Sequence, residues 1–442
     1  MILAAGMAVV APFAGLRYEP TRVGELGPVL APPYDVIGES EHVALEEQHP
    51  QNVVRLELPR GESDARYAEA ARLLQTWIES GIVRSDATPA FYVYEQQFRL
   101  PGAPASARMF ARRGFFAAVR LEPFDRRVIL PHERTLAGPK QDRLKLMRAT
   151  RTQISPIFGL YRDAEGTSRA IIDAAAAGPA EVDVTLADGR HRLWRIADPA
   201  ATTALARLLA DKQILIADGH HRYETMLTLG PELRSLDFAA GQAAADFAMM
   251  FLARAEDPGL LVLPTHCMVR GLNDFNLPAL CAAASPAFDI VEGDEATADA
   301  IEERLGREGT AGVVFAVRVP ERAQTSWFTL KSLVDLSALG PPVLCKLDVT
   351  VLHGVLLGPL LAIDEAALAD QTFLSYTHDT AEALARVTAG DVQAAFFMNP
   401  TKVGEVLAAC EAGFVLPQKS TYFHPKLATG LVMYGLDGPA PR

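Results

Sequence analysis

Residues 213–230 read Q-I-L-I-A-D-G-H-H-R-Y-E-T-M-L-T-L-G. The apolar run Gln213–Ala217 predicts a short buried strand, and a helical pattern follows Asp218-Gly219 with no linker between them. Tyr223, Met226 and Leu227 recur at i, i+3 and i+4, and Gly230 is predicted to close the helix as its C′ residue. Asp218 is predicted to cap that helix, and Gly219 to permit the tight turn before it. A helix N-terminus offers unpaired backbone N–H groups and the positive end of the macrodipole. His220, His221 and Arg222 add donor side chains at the same end, which makes an anion site, most naturally one for phosphate. A capped helix with a solvated first turn is the alternative reading. An arginine in a first turn opposes the macrodipole, however, unless an anion is there. The similar run A-D-G-R-H-R at 187–192 leads into the alternating Leu193-Trp194-Arg195-Ile196, which predicts a hairpin turn without chemistry.

Other residue groups have two readings each. Tyr34-Asp35 follows two prolines and offers a carboxylate to a substrate or to Mg²⁺, or else closes an Asx-type turn. His132-Glu133-Arg134 offers a carboxylate between basic side chains, or a surface pair of Glu133 with Arg134 or Lys140. Lys419, in Q-K-S-T at 418–421 with His424 and Lys426 following, either reaches a phosphate or carboxylate or is solvated. The glycine frame of a P-loop is missing there. His266 stands at the end of a predicted strand, where sheets of α/β proteins place their sites. His353 lies in an apolar helical pattern and reads as a core histidine. Asp218, His221 and Glu224 have the spacing to be weighed for a divalent ion, with His221 and Glu224 on one helix face. No G-x-S-x-G, H-E-x-x-H or G-x-G-x-x-G occurs, so these motifs give no support for a serine hydrolase, a zincin or a Rossmann dehydrogenase.

The elements that must position these residues are those of an ordinary globular chain. Its 442 residues are 49% hydrophobic and 22% charged, enough for two or three domains with real cores. The formal charge of −12 argues against direct nucleic-acid binding, which needs a surplus of Lys and Arg. The four cysteines are scattered and form no C-x-x-C pair, so reduced thiols are expected. The mildly apolar start has no basic n-region, and the apolar runs at 239–253 and 349–363 are too short to span a bilayer. A cytoplasmic protein without membrane contact is therefore expected. Helices are predicted at 63–79, 142–150, 200–210, 295–307, 350–357 and 401–412. Strands are predicted at 91–98, 113–121, 154–161, 247–252, 312–319, 326–330 and 394–398, with a hairpin over 182–196. A composition shift near Leu236 marks a domain boundary. The predicted parts are an N-terminal α+β region (1–112), a core at 113–235 and a C-terminal α+β domain (236–442).

The segments A-P-P-Y-D-V-I at 31–37, P-H-E-R-T at 131–135, A-D-G-H-H-R-Y-E-T at 217–225, L-P-T-H at 263–266 and P-Q-K-S-T-Y-F-H-P-K at 417–426 together resemble the bacterial domain-of-unknown-function 1015 family over nearly the whole chain. The D-G-H-H-R turn also resembles the nucleotide-binding motif of the ParB/sulfiredoxin-like superfamily, whose free-serine kinase branch carries the same five residues. That resemblance implies a mixed α/β fold, with a ParB/sulfiredoxin-like nucleotide-binding core over 113–235 interrupted by an insertion at about 162–211. It implies a small-molecule kinase that uses ATP or ADP with Mg²⁺ on a hydroxyl metabolite such as free serine. Glu133 would match the branch's catalytic acid, with Asp218 and His221 as further catalytic residues. Gly219, His220, His221 and Arg222 would hold the phosphates, supported by Lys419. Tyr34, Asp35, His132, Arg134 and His266 are the expected substrate contacts. A metal-dependent phosphohydrolase at the same site and a non-catalytic nucleotide or metabolite sensor are the alternatives. The oligomeric state is left open.

Overall fold

The computed structural model describes residues 8–104, 106–133, 137–237, 243–364, 367, 372–417 and 419–441. It divides into two compact units. The first takes the described residues of 1–131, 135–260 and 425–442, and the second those of 132–134 and 261–424.

The first unit is built on a nine-stranded mixed sheet. Its strands are β1 (Val10–Ala11), β2 (Phe91–Phe98), β3 (Phe110–Arg120), β4 (Ile129–Leu130), β5 (Ile157–Tyr161), β6 (Val182–Leu186), β7 (Gly189–Ile196), β8 (Ile214–Asp218) and β9 (Phe247–Arg254). The order is β4-β8-β5-β9-β3-β2-β7-β6, with β1 also paired to β3. The pairs β4–β8 and β5–β9 are parallel and the remaining ones antiparallel. β9 is buried at every position, as the central strand of a sheet covered on both faces must be. Strands from all three stretches delimited in sequence at 112 and 235 therefore lie in one sheet.

The helices of this unit include α1 (Ala65–Glu79), α2 (Ala137–Thr150), α3 (Thr167–Ala175), α4 (Pro199–Leu209) and α5 (His220–Asp237). α1 buries Tyr67, Ala70, Leu74 and Trp77, one face at helical spacing, in a cluster with Val29, Val53, Val54 and Leu56. The segment between β5 and β8 folds as α3, the β6–β7 hairpin and α4. Because β7 pairs with β2 over seven residues, this insertion extends the sheet as well as covering it.

Helix α5 departs from the sequence reading. It starts directly after Gly219 as predicted, but continues through Gly230 and Pro231 to Asp237. Gly230 is not in the left-handed region that a C′ glycine adopts. A Cβ there would lie 2.6 Å from the Ala245 carbonyl oxygen and 3.4 Å from the Leu121 side chain. The glycine lets the turn at Ala244–Asp246 approach the helix, and it does not end the helix.

The second unit is a six-stranded, wholly antiparallel sheet. Its strands are β10 (His266–Val269), β11 (Phe288–Gly293), β12 (Val314–Arg318), β13 (Thr325–Leu330), β14 (Leu374–Thr377) and β15 (Ala394–Met398), ordered β11-β13-β12-β15-β10-β14. α6 (Ala298–Glu308) and α7 (Thr380–Thr388) bury Ile301, Leu305, Ala383 and Val387 against Met268, Val314, Ala316, Trp327, Ala395 and Phe397. The helix predicted at 350–357 is an α-turn at Asp348–Val351 continued by a π-helical stretch, Leu352–Leu357. Among the described residues, no helix is long and apolar enough to cross a membrane.

Gly230→Ala separates the two readings of that glycine. Inside a helix, Ala is favoured over Gly by up to about 1 kcal/mol. Overpacking against a backbone carbonyl costs about 1–3 kcal/mol. We expect a net loss of stability, read as a lower urea midpoint with an unchanged m-value; a raised midpoint would refute the packing role.

Candidate functional site

β8 delivers Asp218 to the turn that opens α5, and Gly219 makes that turn with φ +90°. Only glycine suits the position, because a Cβ would fall 2.9 Å from Arg222 Nε and 3.0 Å from its Nη2. The Arg222 side chain thus folds back beneath the turn, where only 3% of it is exposed. Its Nη2 donates to Asp218 Oδ2 at 2.6 Å, and its Nη1 to the Pro156 carbonyl. Its buried Nε has no hydrogen-bond partner among the described residues. The other carboxylate oxygen, Oδ1, accepts from Lys426 Nζ at 2.6 Å. Asp218 therefore carries one cation on each oxygen. Burial alone would raise its pKa, but Lys426 and Arg222 outweigh burial and hold the carboxyl well below the ordinary carboxylate range. Arg222 is shifted upward: burial acts against its charge, and Asp218 more than restores it.

The turn after Pro32-Pro33 brings Tyr34 to the same place. The Tyr34 ring lies 4.2 Å from the Arg143 guanidinium and 6.0 Å from that of Arg222. Burial pushes its hydroxyl pKa up to about 12, with Arg222 acting in the opposite sense. Asp35, next in the turn, is exposed. Arg143 and Glu57 form a buried ion pair at 3.3 Å, each with 2% of its side chain exposed. Arg143 Nη1 also donates to the Glu57 carbonyl at 2.8 Å, and Ser155 donates to the Glu57 carboxylate at 2.7 Å. This pair fixes the floor on which Tyr34 rests. His220 is buried and His221 half-buried at the start of α5.

The residues weighed for a metal ion face cations. Asp218 is engaged by Arg222 and Lys426, and Glu224 accepts from Lys140 Nζ at 2.6 Å. Among the described residues, no group of three or more His, Cys, Asp or Glu is gathered to hold a metal.

His132, Glu133, Lys419 and His266 belong to the second unit. His132 is buried, with Nε2 2.7 Å from the Thr421 hydroxyl and its ring against Phe423. Glu133 forms a parallel β-bridge with Leu416, beside a 2.7 Å bond from the Leu416 N–H to the His132 carbonyl. Lys419 is exposed on a turn with φ +61°. Arg134 lies outside the described residues. His266, expected at a substrate, is wholly buried inside the sheet. Its Nδ1 accepts the Met398 N–H at 3.3 Å, its Nε2 donates to Thr380 Oγ1 at 2.8 Å, and Thr380 donates onward to Glu302 at 2.5 Å. Burial, with His378 nearby, pulls its pKa down to about 3, so the ring is neutral and structural.

The first unit thus joins Tyr34, Asp218, Gly219 and Arg222. It adds Lys426, Arg143 and Glu57, to which sequence reasoning gave no role. Lys426 stands in a motif already singled out, where the nearby Lys419 drew the assignment.

The family model described as "Protein of unknown function (DUF1015)" matches residues 10–350. The chain belongs to this family. No curated protein sequence matches it. Among solved structures, a conserved hypothetical protein of Pyrococcus furiosus is 15% identical, covering 70% of this chain and 89% of its own, with a TM-score of 0.34. A free serine kinase in complex with AMP is 14% identical, covering 73% and 90%, with a TM-score of 0.37. SbnI of Staphylococcus aureus with a C-terminal truncation is 11% identical, covering 73% and 87%, with a TM-score of 0.35.

The low pKa of Asp218 gives this DUF1015 chain a definite acid response. The stability contributed by the depressed carboxyl is fully present above the unfolded pKa of about 3.9, and is lost as the pH falls toward the folded value. Between the two, the unfolded chain binds one more proton, so this contribution falls by about 1.4 kcal/mol per pH unit. Asp218→Asn removes the titration. Urea unfolding of both proteins from pH 5 to pH 2.5 is expected to show the stability gap between them narrowing as the pH falls; a constant gap would sink this account.

Proposed function

We propose that this protein is a small-molecule kinase, transferring a phosphoryl group from ATP or ADP to a hydroxyl metabolite such as free serine. The observation that carries the reading is the pair of cations on the Asp218 carboxylate at the N-terminus of α5. One carboxylate between an arginine and a lysine leaves net positive charge, and the helix end adds more of the same sign. Asp35 and Glu57 are the other acids that act on Arg222; Glu57 is engaged by Arg143, and Asp35 is exposed, where solvent screens its charge. Arg222 also keeps a buried Nε without a partner, and buried donors are nearly always satisfied. A phosphate chain at the turn meets these demands together.

In the proposed reaction the acceptor hydroxyl oxygen attacks the terminal phosphorus of the nucleotide. The bond from that phosphorus to the bridging oxygen breaks, and the electron pair leaves on the departing nucleotide. A carboxylate takes the hydroxyl proton, the role that the family resemblance gives to Glu133, and the positive groups stabilise charge on the non-bridging oxygens. His221 and the Gly219 turn bind phosphate. The donors at this turn do not fit a protein-held Mg²⁺, because both Asp218 oxygens are taken by cations; magnesium would arrive as the counter-ion of the nucleotide.

Wild-type protein is expected to show a raised melting temperature with ATP or ADP, since a ligand at 100 times its Kd adds about 2.7 kcal/mol. It is expected to form a phosphorylated product when serine or a related alcohol is supplied. Glu133→Gln should keep the nucleotide shift and lose about 10²- to 10⁴-fold in kcat. No shift from any nucleotide at millimolar concentration would refute the kinase reading. Phosphate release that ignores the alcohol would replace it with hydrolysis.

A further inference from the structure

We propose that Lys426 binds the nucleotide phosphates beyond the α-phosphate, and that Asp218 is its tether and not a proton acceptor or metal ligand. The inference rests on the phosphate-binding reading of the turn. It says which phosphates are met by a residue that the reading counts only for its charge.

The structure goes to unusual lengths to hold the backbone around Lys426. Gln96 Nε2 donates to the Lys426 carbonyl at 2.8 Å. Arg112 Nη2 donates to the Pro425 carbonyl and to Gln96 Oε1. Tyr94 and Gln96 alternate onto one face of β2, and Gln96 stands directly opposite Arg112 of β3 and His191 of β7. His191 links the Tyr94 hydroxyl, 2.6 Å from its Nδ1, to the Asp188 carboxylate, 2.9 Å from its Nε2. The hairpin turn expected to lack chemistry is thus part of the support. All four sheet residues are at most 2% exposed.

Burying an arginine, a glutamine and a histidine in the middle of a sheet costs free energy unless their groups are used. Here Gln96 and Arg112 are used on the carbonyls of Lys426 and Pro425, and His191 holds Tyr94 beside them. The charged side chain that this segment presents is Lys426, 14% exposed, with its ammonium on Asp218. The two oxygens of a carboxylate point apart, so Lys426 and Arg222 flank Asp218 on different sides. Arg222 lies beneath Gly219 at the helix end, where the first phosphate would sit. Lys426 then serves a different set of oxygens. An ammonium on a four-carbon stem is a compact charge suited to a phosphoryl group that moves during transfer. Asp218, held ionised by two cations, is too weak a base to take a hydroxyl proton and has no oxygen to offer a metal ion.

Calorimetric titration of AMP, ADP and ATP into the full chain tests this, comparing wild type with Lys426→Met, Lys426→Arg and Asp218→Asn. Lys426→Met keeps most of the stem, and melting curves establish that each variant is folded. The expected result is a loss of about ten-fold or more in ADP and ATP affinity for Lys426→Met, as for a lost charged hydrogen bond, with AMP within about two-fold of wild type. Lys426→Arg should recover much of the loss. Asp218→Asn, which releases the ammonium from its tether, should show the same pattern in weaker form, with ADP and ATP losing affinity and AMP within about two-fold of wild type. Equal losses for AMP and ADP, or none, would overturn the assignment. So would an Asp218→Asn protein that loses AMP affinity as much as ADP affinity, and this variant decides the matter if Lys426→Met does not fold. If wild type binds none of the three nucleotides, the phosphate reading itself has failed, and this inference falls with it.

Discussion

Two cations share the carboxylate of Asp218, and much of the first unit is arranged around that contact. β8 ends on Asp218, α5 begins one residue later, and Arg222 returns from the first turn of α5 to the same group. The segment 425–428 returns from beyond the second unit to bring Lys426 to the other oxygen. A buried carboxylate flanked by an arginine and a lysine is costly to desolvate. In the phosphate-binding reading proposed above, its place at a strand-to-helix turn serves to present positive charge to an anion in addition to what the ion pairs give to stability.

The aromatic and arginine groups around that turn have a common logic. Tyr34 stacks over two guanidiniums, one of which is fixed by Glu57 and the other by Asp218. Each arginine is paired with a carboxylate and lies over the same aromatic ring, Arg143 at 4.2 Å and Arg222 at 6.0 Å from its centre. A planar guanidinium allows both at once, which an ammonium does not.

Much of this was legible in the residues. The strand, the tight turn and the start of the helix follow from local rules of burial, glycine geometry and apolar spacing. The strands at 91–98 and 394–398 follow from branched and aromatic content. What local patterns did not carry was anything that depended on a distant neighbour. Gly230 looks like a helix stop, and only the carbonyl of Ala245 shows it to be a packing glycine. His266 reads as a site residue at a strand's end, and only the pairing of β10 between β14 and β15 encloses it. Lys426 is separated from Asp218 by more than two hundred positions, so periodicity could not connect them. The A-D-G-R-H-R hairpin was placed correctly as a turn, yet the partner of His191 is Tyr94, on a strand nearly a hundred residues earlier.

The first unit is discontinuous in sequence, and this bears on how the protein is made. Its last segment, from residue 425, leaves the ribosome only after residues 261–424 of the second unit. At translation rates of about 5–20 residues per second, that interval is on the order of 10–30 s. Through it, the nascent first unit has its sheet strands but lacks Lys426 and the backbone carbonyls that Gln96 and Arg112 are buried to meet. Those two side chains must wait unsatisfied or hydrated, so the fold can close there only late, when synthesis of both units is almost done.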